Sequence, residues 1–212
     1  MPPRGVLDTV EARLRPGHSA VLVIDMQNDF CARDGFVEKV VGKDVSACRA
    51  VVEPIMELVG SARRVGVPVL WIKANYDPDK VPAGMLAKQR EKSLVVCCGT
   101  GSWGAEFYQV TPLPGEAVIE KNCFSAFQGT NLDVRLHNGQ IRTLVFAGVQ
   151  TNVCVETSLR DAVSRGFHAV LASDCVASHT PPLHDATIAN TRFLFGDVLE
   201  RKEIEKSWRQ AG

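Results

Sequence analysis

The sequence predicts an α/β protein built as a mostly parallel sheet with helices on both faces. Three observations carry this. Short continuous apolar runs rich in β-branched residues recur along the chain, as strands buried on both faces require. Segments with helical spacing separate them. Glycine and proline punctuate the joints, and no internal repeat, low-complexity tract or linker breaks the alternation. Residues 1–212 are therefore expected to form a single domain, as a chain of this length commonly does.

Taken in order, residues 1–18 read as a polar lead-in marked by Pro2, Pro3, Pro16 and Gly17. Ala20-Val21-Leu22-Val23-Ile24 is the first strand, and it ends in Asp25. Val45 to Arg64 has helical spacing; Pro54 is expected to kink or restart that helix, and Gly66 and Pro68 close it. Val69-Leu70-Trp71-Ile72 is the second strand, leaving Lys73, Ala74, Asn75 and Tyr76 at its carboxyl end. Residues 77–90, with Pro78, Pro82 and Gly84, read as a long excursion of the kind that forms lids and binding loops. Gly99 to Gly104 matches G-x-G-x-x-G, and Glu120 stands where a ribose acid would. Pro112 and Pro114, however, interrupt any helix after barely two turns, so a glycine-rich pocket wall carrying Trp103 fits better than a dinucleotide site.

The second half repeats the pattern. Glu116 to Glu120 is a short strand ending in Lys121, followed by the aromatic-rich loop Asn122-Cys123-Phe124-Ser125-Ala126-Phe127. A short helix over 131–138 leads to the strand Thr143-Leu144-Val145-Phe146-Ala147. Gly148-Val149-Gln150-Thr151-Asn152-Val153-Cys154 is the crossover into a helix that Gly166 ends. His168 to Ala172 is a further strand, closed by Asp174 and Cys175. Residues 182–195 and 198–209 read as helices, with a short strand around Gly196 to Leu199 between them.

Composition narrows the function classes. Lys and Arg together number 24, as do Asp and Glu, so there is no basic excess to hold a nucleic acid. The seven cysteines form no regular framework, and the vicinal pair Cys97-Cys98 is not a C-x-x-C knuckle, which suits reduced thiols in a cytoplasm. The amino terminus lacks the apolar core of a secretion signal, and no run approaches the roughly 20 apolar residues that span a bilayer. A cytoplasmic protein with neither membrane nor nucleic-acid partner is expected.

The residue with the most chemical promise is Cys154. At a helix start on the carboxyl edge of a sheet, unpaired N–H groups and the helix dipole favour the thiolate, and such cysteines have pKa values of roughly 3.5–7.5. The same position also suits a small apolar filler. Asp25 closes a strand at that edge, where an acid either serves a ligand or caps the next turn. Lys121 falls at a strand end too, although lysine is ordinarily a surface cation.

Asp25, Lys121 and Cys154 gain meaning together with the phrases Val23-Ile24-Asp25-Met26-Gln27-Asn28-Asp29-Phe30 and Gly148-Val149-Gln150-Thr151-Asn152-Val153-Cys154-Val155. From about Ala20 to Leu199 the chain resembles the isochorismatase-like cysteine hydrolases, which include nicotinamidases, N-carbamoylsarcosine amidases, ureidoacrylate amidohydrolases and biuret hydrolases. The resemblance implies a three-layer fold with a six-stranded sheet and an Asp25-Lys121-Cys154 triad. Asp25 would serve as base and then acid, Lys121 would favour the thiolate, and Cys154 would attack a carbonyl to form a thioester. It also implies a cis peptide between Val149 and Gln150, with the N–H groups of Gln150 and Cys154 as an oxyanion hole. No cofactor is implied, and homo-oligomers, dimers or tetramers, are.

Departures from the family narrow the substrate. Nicotinamidases carry metal-binding histidines after the second strand; this chain has Lys73-Ala74-Asn75-Tyr76-Asp77-Pro78. Its five histidines, 18, 137, 168, 179 and 184, have no zinc-ligand spacing, so no metal is expected. Thr151 to Glu156 and the Arg160-Asp161 pair look most like the ureidoacrylate and biuret group. The expected substrate is a small, polar carbamoyl or ureido amide, held by Gln150, Asn75 and Tyr76 between Phe30, Trp103 and Phe127, although each aromatic also has a plain packing role. Two alternatives stand: hydrolysis of another small amide or an isochorismate-type vinyl ether, and a non-catalytic binding scaffold of the same fold.

Overall fold

The computed structural model describes residues 5–91 and 93–210. Its sheet has six strands: β1 Ser19–Ile24, β2 Val69–Ala74, β3 Ala117–Lys121, β4 Thr143–Val149, β5 His168–Ala177 and β6 Asp197–Leu199. Their spatial order is β3-β2-β1-β4-β5-β6 and every neighbouring pair is parallel. The chain winds outward from β1 to β3, then returns to lay β4 along the free side of β1. Winding thus reverses between β1 and β4, and the crevice at their carboxyl ends is where such sheets hold ligands.

The longer helices are α1 Val52–Arg64, α2 Ala83–Arg90, α3 Leu132–Asn138, α4 Glu156–Ser164, α5 Pro181–Asn190 and α6 Arg201–Gln210. Successive strand residues point to opposite faces. Val21 and Val23 of β1 accordingly pack in one core with Ile55, Leu58 and Ala62 of α1 and Trp208 of α6. Ala20, Leu22 and Ile24 pack in the other with Leu132 and Leu136 of α3 and Leu159 of α4. Both faces being covered, β1 and β4 are buried at every residue, which is why their sequences show no polar alternation. Ile24 and Gly148 are paired in the β1–β4 register. Gly148 has φ +113°, and a Cβ there would lie 2.0 Å from the Ile24 carbonyl oxygen, so this closest approach of the two central strands admits only glycine.

Several local expectations need revision. The Val45–Arg64 stretch is two helices, Ser46–Ala50 and α1, parted at Val51. Pro54 lies in the first turn of α1, where its missing N–H costs no helical bond, so it restarts the helix and does not kink it. The 77–90 excursion contains α2, a helix with no buried residue. β5 does not stop at Asp174 and Cys175 but runs on to Ala177, with its register against β4 shifting between Phe146 and Gly148. Polar Ser173 and Asp174 look like a strand end but are absorbed by neighbours: Ser173 donates to the Leu199 carbonyl, and Asp174 accepts from the Arg201 N–H. Thr151–Val155 forms a π-helical turn ahead of α4, so Cys154 precedes the α-helix it was expected to open.

Candidate active site

Four strand ends converge at the crevice. Asp25 follows β1, Tyr76 lies just beyond β2, Lys121 is the last residue of β3 and Cys154 follows β4. Lys121 Nζ stands 2.9 Å from Asp25 Oδ2 and 3.3 Å from Cys154 Sγ. It also donates to Tyr76 Oη at 3.2 Å and to the Cys123 carbonyl at 3.0 Å. Tyr76 Oη lies 3.5 Å from Cys154 Sγ. Asp25 and Lys121 are 1% and 0% exposed, so the charges pair away from water. Neither Asp25 oxygen has an aligned hydrogen-bond partner; the contact with Lys121 is charge pairing, and both oxygens remain able to take a proton.

The electrostatics follow from burial. Desolvation raises the Asp25 carboxyl above its ordinary range against the pull of the Lys121 charge. Burial disfavours the Lys121 ammonium, but Asp25 and Cys154 together outweigh it and raise its pKa. The Cys154 thiol is pushed up to about 12, by burial first and by the Asp25 charge second, with Lys121 opposing. The expected depressed thiol is therefore not what this environment produces. A helix end can stabilise a thiolate only by fractions of a charge, and here desolvation and a neighbouring carboxylate are larger. Burial therefore favours the neutral thiol, held beside Asp25 and the Lys121 ammonium.

Local sequence explains how these groups are held. Asp25 adopts φ +53° and its N–H donates to the Ile72 carbonyl at 2.9 Å. Gln27, unassigned from the sequence, is fully buried and joins three segments. Its side chain donates to the carbonyls of Ala74 and Ala105, both at 3.0 Å, and accepts from the Ala74 N–H at 2.7 Å. The Val149–Gln150 peptide is cis. The Gln150 side chain accepts from the His179 N–H at 2.9 Å and meets Cys48 Sγ, so the backbone of this residue, and not its amide group, is left for a substrate. Ser158 donates to the Cys154 carbonyl at 2.7 Å and accepts from the Ala126 N–H at 2.9 Å, tying the aromatic loop to the Cys154 turn.

A cavity of about 230 Å³ opens from Asp25, Gln150 and Cys154. Phe30 and Tyr76 line it, as the sequence suggested. Asn75, Trp103 and Phe127 do not. Asn75 donates to Thr100 Oγ1 and Glu120 Oε1, both at 2.9 Å. Trp103 is 51% exposed on a one-turn helix, with its carbonyl accepting from Asn28. Phe127 packs in the core on the α4 side, 6.1 Å from the Phe167 ring. The remaining apolar wall comes from Phe36, Val37, Val41, Met85, Val95, Phe124 and Val153, which sequence reasoning missed. The only hint was the apolar character of residues 36–41 and 94–96, stretches outside any predicted strand.

The glycine-rich segment is structural. Asp29 accepts from the N–H groups of Phe36 at 3.1 Å and Cys98 at 2.6 Å, and a Cβ on Gly104 would lie 2.2 Å from its carboxyl carbon. Asp29, Cys97 and Cys98 are also the one group of potential metal ligands among the described residues, their ligand atoms lying within 4.8 Å of one another. With both carboxylate oxygens engaged by backbone N–H groups, the cluster reads as a loop staple. Among the described residues no helix is long and apolar enough to cross a membrane.

Comparison with known proteins identifies the family. Residues 19–203 match the model of the isochorismatase domain. The chain is 34% identical over 202 residues to a ureidoacrylate amidohydrolase RutB of Methylorubrum extorquens, covering 88% of this chain and 81% of that one. It is 33% identical over 200 residues to the protein of the same name in Cronobacter turicensis, with coverages of 87% and 86%. A cysteine hydrolase of Pseudomonas syringae pv. phaseolicola shares the fold, with TM-score 0.85, 23% identity and coverages of 94% and 96%. The N-carbamoylsarcosine amidase of Thermoplasma acidophilum superposes with TM-score 0.71 at 27% identity, over 87% of this chain and 96% of that one. By domain, by sequence and by topology, this chain belongs to the isochorismatase family.

Proposed function

We propose that this isochorismatase-family hydrolase is a cysteine-dependent amidohydrolase that cleaves a carbamoyl or ureido amide through a thioester. The observation that carries the reading is the buried Lys121 ammonium in contact with both Asp25 and Cys154. The high thiol pKa makes Asp25 the proton acceptor at the moment of attack. Cys154 Sγ bonds to the carbonyl carbon while its proton passes to Asp25. The N–H groups of Gln150 and Cys154 receive the oxyanion, each donor of this kind being worth about 2.7–4 kcal/mol. Asp25 then returns the proton to the nitrogen as the C–N bond breaks, and ammonia or an amine leaves. Water attacks the thioester, giving its proton to Asp25; the C–S bond breaks, the acid departs and the thiol is restored. Lys121 remains charged throughout and offsets the negative charge shared by Asp25 and sulfur.

The seven unpaired cysteines support a reducing compartment, the cytoplasm. The apolar side chains of Phe193 and Leu194, 85% and 70% exposed, support a homo-oligomer, a dimer or tetramer. The test of the reaction is ammonia release from biuret, ureidoacrylate and N-carbamoyl amino acids. Cys154→Ser is expected to abolish it with the fold intact by circular dichroism. Retained turnover in Cys154→Ala would instead point to ether hydrolysis, which forms no thioester.

A further inference from the structure

The buried polar groups that can read a substrate in the cavity gather around Lys121. Asp25, Tyr76 and Cys154 meet there, whereas the Gln150 side chain is already engaged by His179 and Cys48, and the His179 ring meets Thr180 Oγ1 at 3.1 Å. The apolar lining includes Phe30, Phe36, Val37, Val41, Met85 and Phe124. Lys88 and Gln89 also reach the cavity, but from α2, which buries no residue; Lys88 is 71% exposed and paired with Glu91. The general acid must touch the departing nitrogen, and Asp25 is only 1% exposed. That nitrogen must therefore be small and unsubstituted, and the rest of the substrate must run outward from the carbonyl along apolar walls. About 230 Å³ holds roughly eight water-sized groups. The carbamoyl head takes three of them.

Building on the amidohydrolase reading, we infer that the substrate is a primary amide or monosubstituted urea whose carbonyl carries an unsubstituted amino group on one side and, on the other, an apolar arm about five heavy atoms long. Hydrolysis releases ammonia and leaves the arm on the thioester, within the apolar chamber, until water displaces it. This departs from the compact polar ureides that the sequence suggested. Val37 and Val41 offer no donor or acceptor side chain, so a second polar group on the arm would lose its water without replacement.

The experiment measures kcat/KM for ammonia release from acetamide, butanamide and hexanamide, and from methylurea, ethylurea and butylurea, with biuret and ureidoacetate as polar comparisons. Burial of each methylene is expected to raise kcat/KM about fourfold, or on the order of a hundredfold from acetamide to hexanamide. Met85→Gln, an unbranched polar substitute in the wall, is expected to lower the hexanamide-to-acetamide ratio several-fold. A flat or falling series, an unchanged ratio in that variant, or biuret and ureidoacetate as the best substrates would overturn the apolar arm and leave the amidohydrolase reading standing. No ammonia from any of the eight compounds would count against both.

Discussion

Lys121→Met isolates the energetic core of the site. The ammonium is 0% exposed and sits 2.9 Å from Asp25 Oδ2, itself 1% exposed. Methionine fills most of the volume but leaves a buried carboxylate unpaired. Removing one partner of such a pair typically costs about 3–5 kcal/mol. For a domain of this size each kcal/mol lowers Tm by about 2–4 °C, so a fall of about 6–20 °C is expected. The loss also depends on pH. Burial raises the Asp25 carboxyl, so the folded protein keeps a proton that the unfolded chain releases above about pH 4. Stability therefore declines as pH rises from that value through the folded pKa. Lys121 opposes the rise in pKa, so its removal should extend the decline to higher pH. Urea titrations of Lys121→Met between pH 4 and 8, alongside Asp25→Asn/Lys121→Met, would measure both effects. The double variant buries no charge and is expected to recover much of the loss. A Lys121→Met penalty below about 1 kcal/mol, flat with pH, would refute the picture of a desolvated ion pair at the heart of the site.

Two further outcomes follow from the same geometry. Because the Cys154 thiol is pushed up to about 12, its alkylation by iodoacetamide in the free enzyme should be slow at neutral pH and rise about tenfold per pH unit from 6 to 9. Peptide mass spectrometry separates it from Cys123, and a rate that levels off below pH 8 would mean that the thiolate is already formed. Gly148→Ala should cost at least about 3 kcal/mol, since its Cβ would meet Ile24 backbone atoms at 2.0–2.8 Å on a residue with φ +113°. Thermal unfolding reads this directly, and a wild-type Tm would show that the two strands part easily.

Much of the candidate site was legible in the sequence. Asp25 and Cys154 each follow a run of buried strand residues, and such runs declare themselves through β-branched apolar residues with no alternation. Lys121 was readable for a related reason: it ends a short strand, and the flanking phrases resemble those of a known family. The substrate chamber was not legible. Phe36 and Val41, Met85, and Phe124 come from three separate connections between strands with no common period, and nothing in their spacing says that they face one cavity. Trp103 and Phe127 were misplaced because an aromatic side chain is equally at home in a pocket, a core or a loop. Gln27 went unassigned because its partners, Ala74 and Ala105, lie 47 and 78 residues away.

The amino-acid sequence alone determined the layer architecture and the identity of the strand-end groups of the candidate site, because strand periodicity and strand-end chemistry are local properties of the chain. Tertiary structure alone decided the direction in which the Cys154 thiol is shifted and the character of the chamber. Desolvation depends on everything packed around a group, and the balance between burial, Asp25 and Lys121 exists only once four strand ends meet.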